Sequence, residues 1–214
     1  MAGLIDGLIL VVVLTNLKLL GSSRTPACIR VVAAQGVLLA ALPLLAAAEP
    51  LSLQTVIAAV ASGLLKGLLL PWLLLRTAQR ADVRQELEPL VGYTLSLLIG
   101  GGLLVGALWL GRRLPPVGEA GPTLLVPAAM FTLMVGLFMI VARRKALTQV
   151  VGYLAMENGI YAFGLAFARS EPLLVELGIL LDVFVAVFVM GITIHHISRE
   201  FDSIDTRRMS RLKD

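Results

Sequence analysis

The chain has 214 residues, of which 58% are hydrophobic and 15% are charged, and its mean hydropathy is +0.91. An ordinary soluble domain carries about 25% charged residues, so this composition indicates an integral membrane protein without a sizeable soluble domain. The net charge of +4 comes from short loops that flank apolar runs, which argues against a nucleic-acid-binding surface. The single cysteine, Cys28, excludes an intrachain disulfide and a cysteine-ligated iron–sulfur cluster.

Seven apolar runs, each of a length that can cross a bilayer, follow one another along the chain. The first is similar to a signal peptide in its position and hydropathy, but Asp6 precedes its apolar core and Lys18 follows it, so it is interpreted as a retained span. The sequence therefore predicts an all-α, polytopic membrane protein with seven transmembrane helices. The predicted spans are 4–20, 28–48, 51–75, 90–110, 123–142, 146–168 and 172–196.

The basic residues predict the orientation of these spans. Of the 18 Lys and Arg residues, 14 fall at one end of the alternating spans, three fall at the other end, and Lys66 lies inside a span. Positively charged short loops stay in the cytoplasm, so this end is predicted to be cytoplasmic, with the C-terminus inside and the N-terminus outside the cell membrane. We call it the basic end; its residues are Lys18, Arg24, Arg30, Arg76, Arg80, Arg84, Arg143, Arg144, Lys145, Arg199, Arg207, Arg208, Arg211 and Lys213.

Three ionisable residues lie at mid-depth in the predicted spans: Lys66, Glu157 and Asp182. A charge in hydrocarbon is costly, so each is a functional-site hypothesis, and together they suggest proton movement. In the last span, His196 follows Asp182 by 14 positions, which places both within about 40° of one helix face and about 21 Å apart. Glu176 precedes Asp182 by six positions and lies about 120° around the helix.

Structural roles remain open for the same residues. Glu157 or Asp182 could hold helices together through a polar group of another subunit, and we expect one of them to face a neighbouring subunit. Asn158 could donate a hydrogen bond to Glu157. The long side chain of Lys66 could extend toward the basic end, and His196 could be solvated at the membrane surface.

The stretch RRKALTQVVGYLAMENGIYAFGLAF, from Arg143, and the later ELGILLDVFVAVFVMGITIHHISREFDSID resemble component E of hydrogenase-4 and formate hydrogenlyase complexes. That protein is similar to the K subunit of respiratory complex I and to the K-like component of Mrp-type cation/proton antiporters. The resemblance implies a K-subunit-like three-helix membrane unit over residues 121–198. A four-helix membrane region precedes it at 1–120, and a cytoplasmic basic tail follows at 199–214.

What this resemblance implies is a non-catalytic membrane subunit of a group 4 [NiFe] hydrogenase complex, in which proton movement is coupled to electron transfer. Glu157 and Asp182 would correspond to the two mid-membrane glutamates of the K subunits, although Leu154 stands at the family position one turn before Glu157. No cofactor is expected in this chain; the nickel–iron centre and iron–sulfur clusters would belong to peripheral hydrogenase subunits. Antiporter-like and quinone-site-like membrane subunits are the expected neighbours. A cation/proton antiporter component and a purely structural scaffold remain alternatives.

Overall fold

The computed structural model describes residues 2–46, 53–80, 89–114 and 124–167, and these ranges form helices with no strand. A π-helical turn, Leu65–Leu69, joins α3 to α4, so that these segments make one continuous span. The predicted all-α class is confirmed, and six of the predicted spans are helices whose ends lie within a few residues of the prediction; the seventh, 172–196, lies outside the described residues. The helices are α1 Ala2–Gly21, α2 Thr25–Ala46, α3 Leu53–Leu64, α4 Leu70–Arg80, α5 Tyr93–Gly111, α6 Leu125–Ala142 and α7 Ala146–Phe167.

Five of the described helical stretches are long and apolar enough to cross a membrane. α7 is not among them, although it has 22 residues, because Gln149, Glu157 and Asn158 lower its hydropathy. It packs most extensively against α6 and also contacts α2, which covers its polar side chains. The five stretches are 3–21, 25–45, 59–79, 93–111 and 125–142.

Contacts between helix ends show that successive helices run in alternating directions. The N–H of Leu90, just before α5, donates to the carbonyl of Ala142 at the end of α6, 3.0 Å away. The guanidinium of Arg143 donates to the carbonyl of Leu20 at the end of α1, 2.8 Å away. The end of α1, the start of α5 and the end of α6 therefore meet at one end of the bundle, as the alternation of basic residues requires.

Arg143 differs from the exposed loop residue that the sequence suggested. It is 1% exposed, its guanidinium lies 4.6 Å from the centre of the Tyr93 ring, and its carbonyl accepts a hydrogen bond from Gln149. The physical reason is that the last carbonyls of a helix have no intrahelical donor and carry partial negative charge, which a cation at the C-terminus of α1 satisfies. Arg144, the next residue, is exposed.

Glycines allow α6 and α7 to approach closely. A Cβ on Gly159 would overlap the backbone of Leu133, and one on Gly136 would overlap the backbone of Met156. Close backbone contact of this kind gives membrane helices the van der Waals packing that replaces a hydrophobic driving force. In α5, Gly100 packs against Leu20, whereas an added Cβ on Gly102 would meet no atom.

Buried apolar side chains form two clusters separated by a polar layer. The basic-end cluster includes Leu20, Val32, Leu70, Leu74, Val151 and Leu154. The outer cluster includes Ile9, Val12, Leu39, Leu42, Ala129 and Ala162. Between them, at the middle of five helical segments, lies a set that we call the mid-depth polar layer: Thr15, Asn16, Gln35, Lys66, Thr132, Glu157 and Asn158.

We predict that Gly159→Leu destabilises the protein, whereas Gly102→Leu has little effect. Overpacking costs about 1–3 kcal/mol when side chains can move aside, and at Gly159 the obstacle is backbone, so the cost should reach or exceed the top of that range. Thermal unfolding of the detergent-solubilised protein measures the difference. Equal stability of the two variants would contradict the packing of α6 against α7.

Candidate functional site

A buried ion pair lies at the centre of the mid-depth polar layer. The Nζ of Lys66 is 2.8 Å from the Oε1 of Glu157, and the two residues are 6% and 1% exposed. Both charges are removed from lipid and water, so their mutual attraction offsets a desolvation cost that would be several kcal/mol for each alone. The pair joins the third span of the bundle to α7.

The π-helical turn places Lys66 on the face that meets α7. Leu70 donates its N–H to the carbonyl of Leu65, five residues earlier, and Pro71 has no N–H to give to the carbonyl of Gly67. A proline inside a span commonly disturbs the hydrogen-bond ladder in this way, and single π turns are frequent at functional sites. Because the turn holds one more residue than an α turn, α3 and α4 present their side chains in different registers.

Gly36 of α2 makes the space that Lys66 occupies. A Cβ built on Gly36 would lie 2.7 Å from the Cβ of Lys66 and 3.7 Å from Oδ1 of Asn158. Only a residue without a side chain lets α2 approach the pair at this level. Asn158 donates from Nδ2 to the carbonyl of Val32, 3.3 Å away, and so ties α7 to α2 beside the ion pair.

An aromatic ring supplies a second partner for the ammonium. The Nζ of Lys66 lies 4.6 Å from the centre of the Tyr161 ring, one turn beyond Glu157 on α7. In a desolvated site such a cation–π contact contributes about 2 kcal/mol. The positive charge of Lys66 is therefore held by a carboxylate that can titrate and by a ring face that stays available when the carboxylate is neutral.

Uncharged polar side chains continue the layer across α1, α2 and α6. The Nε2 of Gln35 donates to Oδ1 of Asn16 and to Oγ1 of Thr15, each 2.8 Å away. The Nδ2 of Asn16 donates to Oγ1 of Thr132, 2.7 Å away, and Thr132 donates in turn to the carbonyl of Ala128. Asn16, Gln35 and Thr132 are fully buried, so this network fixes three helices at the same depth as the ion pair.

The structure brings together two of the predicted site residues, Lys66 and Glu157. The expectation that Glu157 faces a neighbouring subunit is wrong, because Lys66 and the helices of its own chain cover it. Lys66 does not extend to the basic end, since the π turn directs it to α7. Asn158 binds α2 instead of Glu157. The other predicted residues, Glu176, Asp182 and His196, lie outside the described ranges.

Sequence reasoning missed Gln35, Asn16, Thr132 and Tyr161. The signal for the first three was present, because an amide or hydroxyl near the middle of an apolar span needs a polar partner. For Tyr161 the signal was weak, since a tyrosine in a span is also typical of a membrane surface. Within the described part of the chain, no group of three or more His, Cys, Asp or Glu residues could hold a metal ion.

Comparisons with known proteins identify the family. The chain is 36% identical over 190 residues to the uncharacterized protein Rv0085 of Mycobacterium tuberculosis, covering 88% of this chain and 86% of that protein. It is 29% identical over 162 residues to hydrogenase-4 component E of Escherichia coli K12 and of Shigella flexneri, covering 75% of this chain and 74% of those proteins. The family model for NADH-ubiquinone/plastoquinone oxidoreductase chain 4L matches residues 124–214. The chain belongs to the hydrogenase-4 component E family.

In this component E family member, the segment that matches chain 4L comprises α6, α7 and the residues after them. Glu157 lies inside that segment, and Lys66 lies outside it, in the preceding region. The ion pair therefore joins the chain 4L-like part to the N-terminal part. No solved structure matches this component E homologue.

We predict that Lys66→Met and Glu157→Leu each destabilise the protein more than the combined variant does. Removing one partner of a buried pair costs about 3–5 kcal/mol because it leaves the other charge unpaired, whereas two apolar residues restore a neutral core. Thermal unfolding of the four proteins in detergent measures the coupling. Arg76→Met, which removes an exposed cation, is the control and should have little effect. Strictly additive losses would show that the two residues do not interact.

Proposed function

We propose that this protein is a non-catalytic membrane subunit of a complex I-like hydrogenase complex of the hydrogenase-4 type, and that it takes part in proton translocation coupled to electron transfer. Its similarity to a protein named hydrogenase-4 component E and the chain 4L match support membership in such a complex. The observation that carries the proton role is the Lys66–Glu157 ion pair at mid-depth.

The ion pair suits proton transfer because it can change protonation without leaving a bare charge in the membrane. When the Glu157 carboxylate takes up a proton, the Lys66 ammonium remains over the ring of Tyr161. When the proton leaves, the carboxylate is neutralised again by the ammonium at 2.8 Å. A group held in this way can alternate between two protonation states at moderate cost, which an isolated carboxylate in hydrocarbon cannot do.

Asp182, Glu176 and His196 complete the proposed relay in the sequence that follows α7. Electron transfer, the nickel–iron centre and the iron–sulfur clusters belong, in this proposal, to peripheral hydrogenase subunits. Antiporter-like and quinone-site-like membrane subunits are the proposed neighbours. Because Glu157 is covered by its own chain, Asp182 becomes the proposed contact to such a neighbour.

We predict that Glu157→Gln and Asp182→Asn leave the complex assembled but reduce the number of protons moved per electron. Each amide keeps the size of the side chain and removes its titration. Dye-linked hydrogenase activity should survive, since the proposed metal site lies in another subunit. The measurement is proton uptake or membrane potential per electron in sealed vesicles.

The matched control is Glu171→Gln, a carboxylate that the sequence places in a loop, where any ion pair contributes at most about 1 kcal/mol. It should couple normally. Normal coupling in both amide variants would reject the relay and favour a scaffold. Loss of coupling in a complex without hydrogenase subunits would favour the antiporter alternative.

A further inference from the structure

A small cavity lies against the Lys66–Glu157 pair. Its volume is about 10 Å³, which is close to the space that a single water molecule needs. A water there would have the ammonium, the carboxylate and the Asn158 side chain within the lining, and a buried water commonly makes about three hydrogen bonds. The lining residues are Val32, Lys66, Leu70, Leu154, Glu157 and Asn158.

The cavity extends from the ion pair toward the basic end of the bundle. On α4, Leu70 is four residues nearer that end than Lys66, and on α7, Leu154 is three residues nearer than Glu157. On α2, Val32 is four residues nearer than Gly36, which packs against Lys66. At 1.5 Å per residue, all three apolar side chains lie about one turn from the pair on the same side.

Each of the three helices that line the cavity carries a buried threonine further toward the basic end. Thr25, Thr77 and Thr148 lie seven, seven and six residues beyond the apolar lining residue of α2, α4 and α7, which corresponds to about 10 Å. Thr77 donates to the carbonyl of Leu73, and within the described chain the hydroxyls of Thr25 and Thr148 have no hydrogen-bond partner. Hydroxyl groups both donate and accept, so these positions can support water.

The opposite direction is more apolar. Leu39 follows Gly36 by three residues on α2, and Ala162 follows Glu157 by five residues on α7; both belong to the outer cluster. Ser62 of α3 is a buried polar residue on that side. The cavity and the buried threonines thus lie on the basic-end side, while the outer cluster closes the other side of α2 and α7.

We propose that Glu157 exchanges its proton with the basic end of the bundle through this cavity, and that Val32, Leu70 and Leu154 form the apolar barrier that controls the exchange. A hydronium that crosses the barrier delivers a proton to a carboxylate oxygen of Glu157 and remains as water, while Lys66 keeps its charge. Apolar constrictions of this kind conduct only while they are wetted. The inference rests on the proton role proposed above and adds the direction and the route.

Cysteine accessibility tests the direction. Since Cys28 is the chain's single cysteine, Cys28→Ala gives a cysteine-free background. Val32→Cys probes the barrier, and Leu39→Cys is the matched control. The two positions are seven residues apart on one face of α2, they are 4% and 2% exposed, and they lie on opposite sides of Gly36.

Sealed vesicles of the intact complex, in both orientations, are treated with 2-aminoethyl methanethiosulfonate on one side and free cysteine as a scavenger on the other. Modification is read from the mass of this protein. We expect Val32→Cys to react at least about tenfold faster from the basic end than from the other side, a difference of about 1.4 kcal/mol in barrier, and Leu39→Cys to show no such preference. Reaction of Val32→Cys that is no faster than that of Leu39→Cys from the basic end overturns the route.

This result is independent of the proton role. Accessibility from the basic end with normal coupling in Glu157→Gln would mean that water reaches a carboxylate that carries no proton in turnover, which overturns the proposal at its first step. Lost coupling in Glu157→Gln with Val32→Cys reactive from the opposite side would leave the proton role intact and overturn the route alone.

Discussion

The Lys66–Glu157 ion pair is the constraint on which the rest of the described structure depends. A single charge at mid-depth in hydrocarbon is costly, so once Glu157 lies inside the bundle, a cation must reach it from another helix. The π-helical turn brings Lys66 to that position, and Gly36 leaves the space for its side chain. Tyr161 and Asn158 then hold the pair from α7. The backbone irregularity, the glycine and the aromatic residue thus have one common purpose.

The same depth is used by every helix around the pair. The Asn16–Gln35–Thr132 network crosses α1, α2 and α6 between two apolar clusters, so the polar groups occupy a layer that lipid does not reach. Such a layer specifies how the helices align along their axes, because hydrocarbon contacts alone leave their relative depth poorly determined. In a component E homologue, this means that the N-terminal helices supply the counter-charge and the space around a carboxylate of the chain 4L-like part. They are therefore part of the site as well as part of the membrane anchor.

The sequence predicted the class, six of the helices and the two ionisable residues of the site, because hydropathy and the cost of buried charge act locally. It did not predict that Lys66 and Glu157 pair, since 91 positions separate them and only helix packing determines which side chains meet. Pro71 was a visible signal for the π turn, but the amount of backbone rearrangement depends on neighbouring helices. Arg143 was assigned to a solvated loop because basic residues beside spans usually are; its burial follows from the unsatisfied carbonyls of α1. Glu176, Asp182 and His196 stay predictions, as do the domain division at 121–198 and the orientation of the termini.

The most direct test of the account is whether Glu157 changes its protonation state while electrons pass through the intact complex. Infrared difference spectroscopy of the complex, oxidised and reduced in membranes, detects the carbonyl band of a newly protonated carboxyl group. The account predicts such a band in the wild type, its loss in Glu157→Gln and its retention in Glu171→Gln. Identical difference spectra in the wild type and Glu157→Gln would show that the ion pair is a fixed structural contact and would contradict the proposed function.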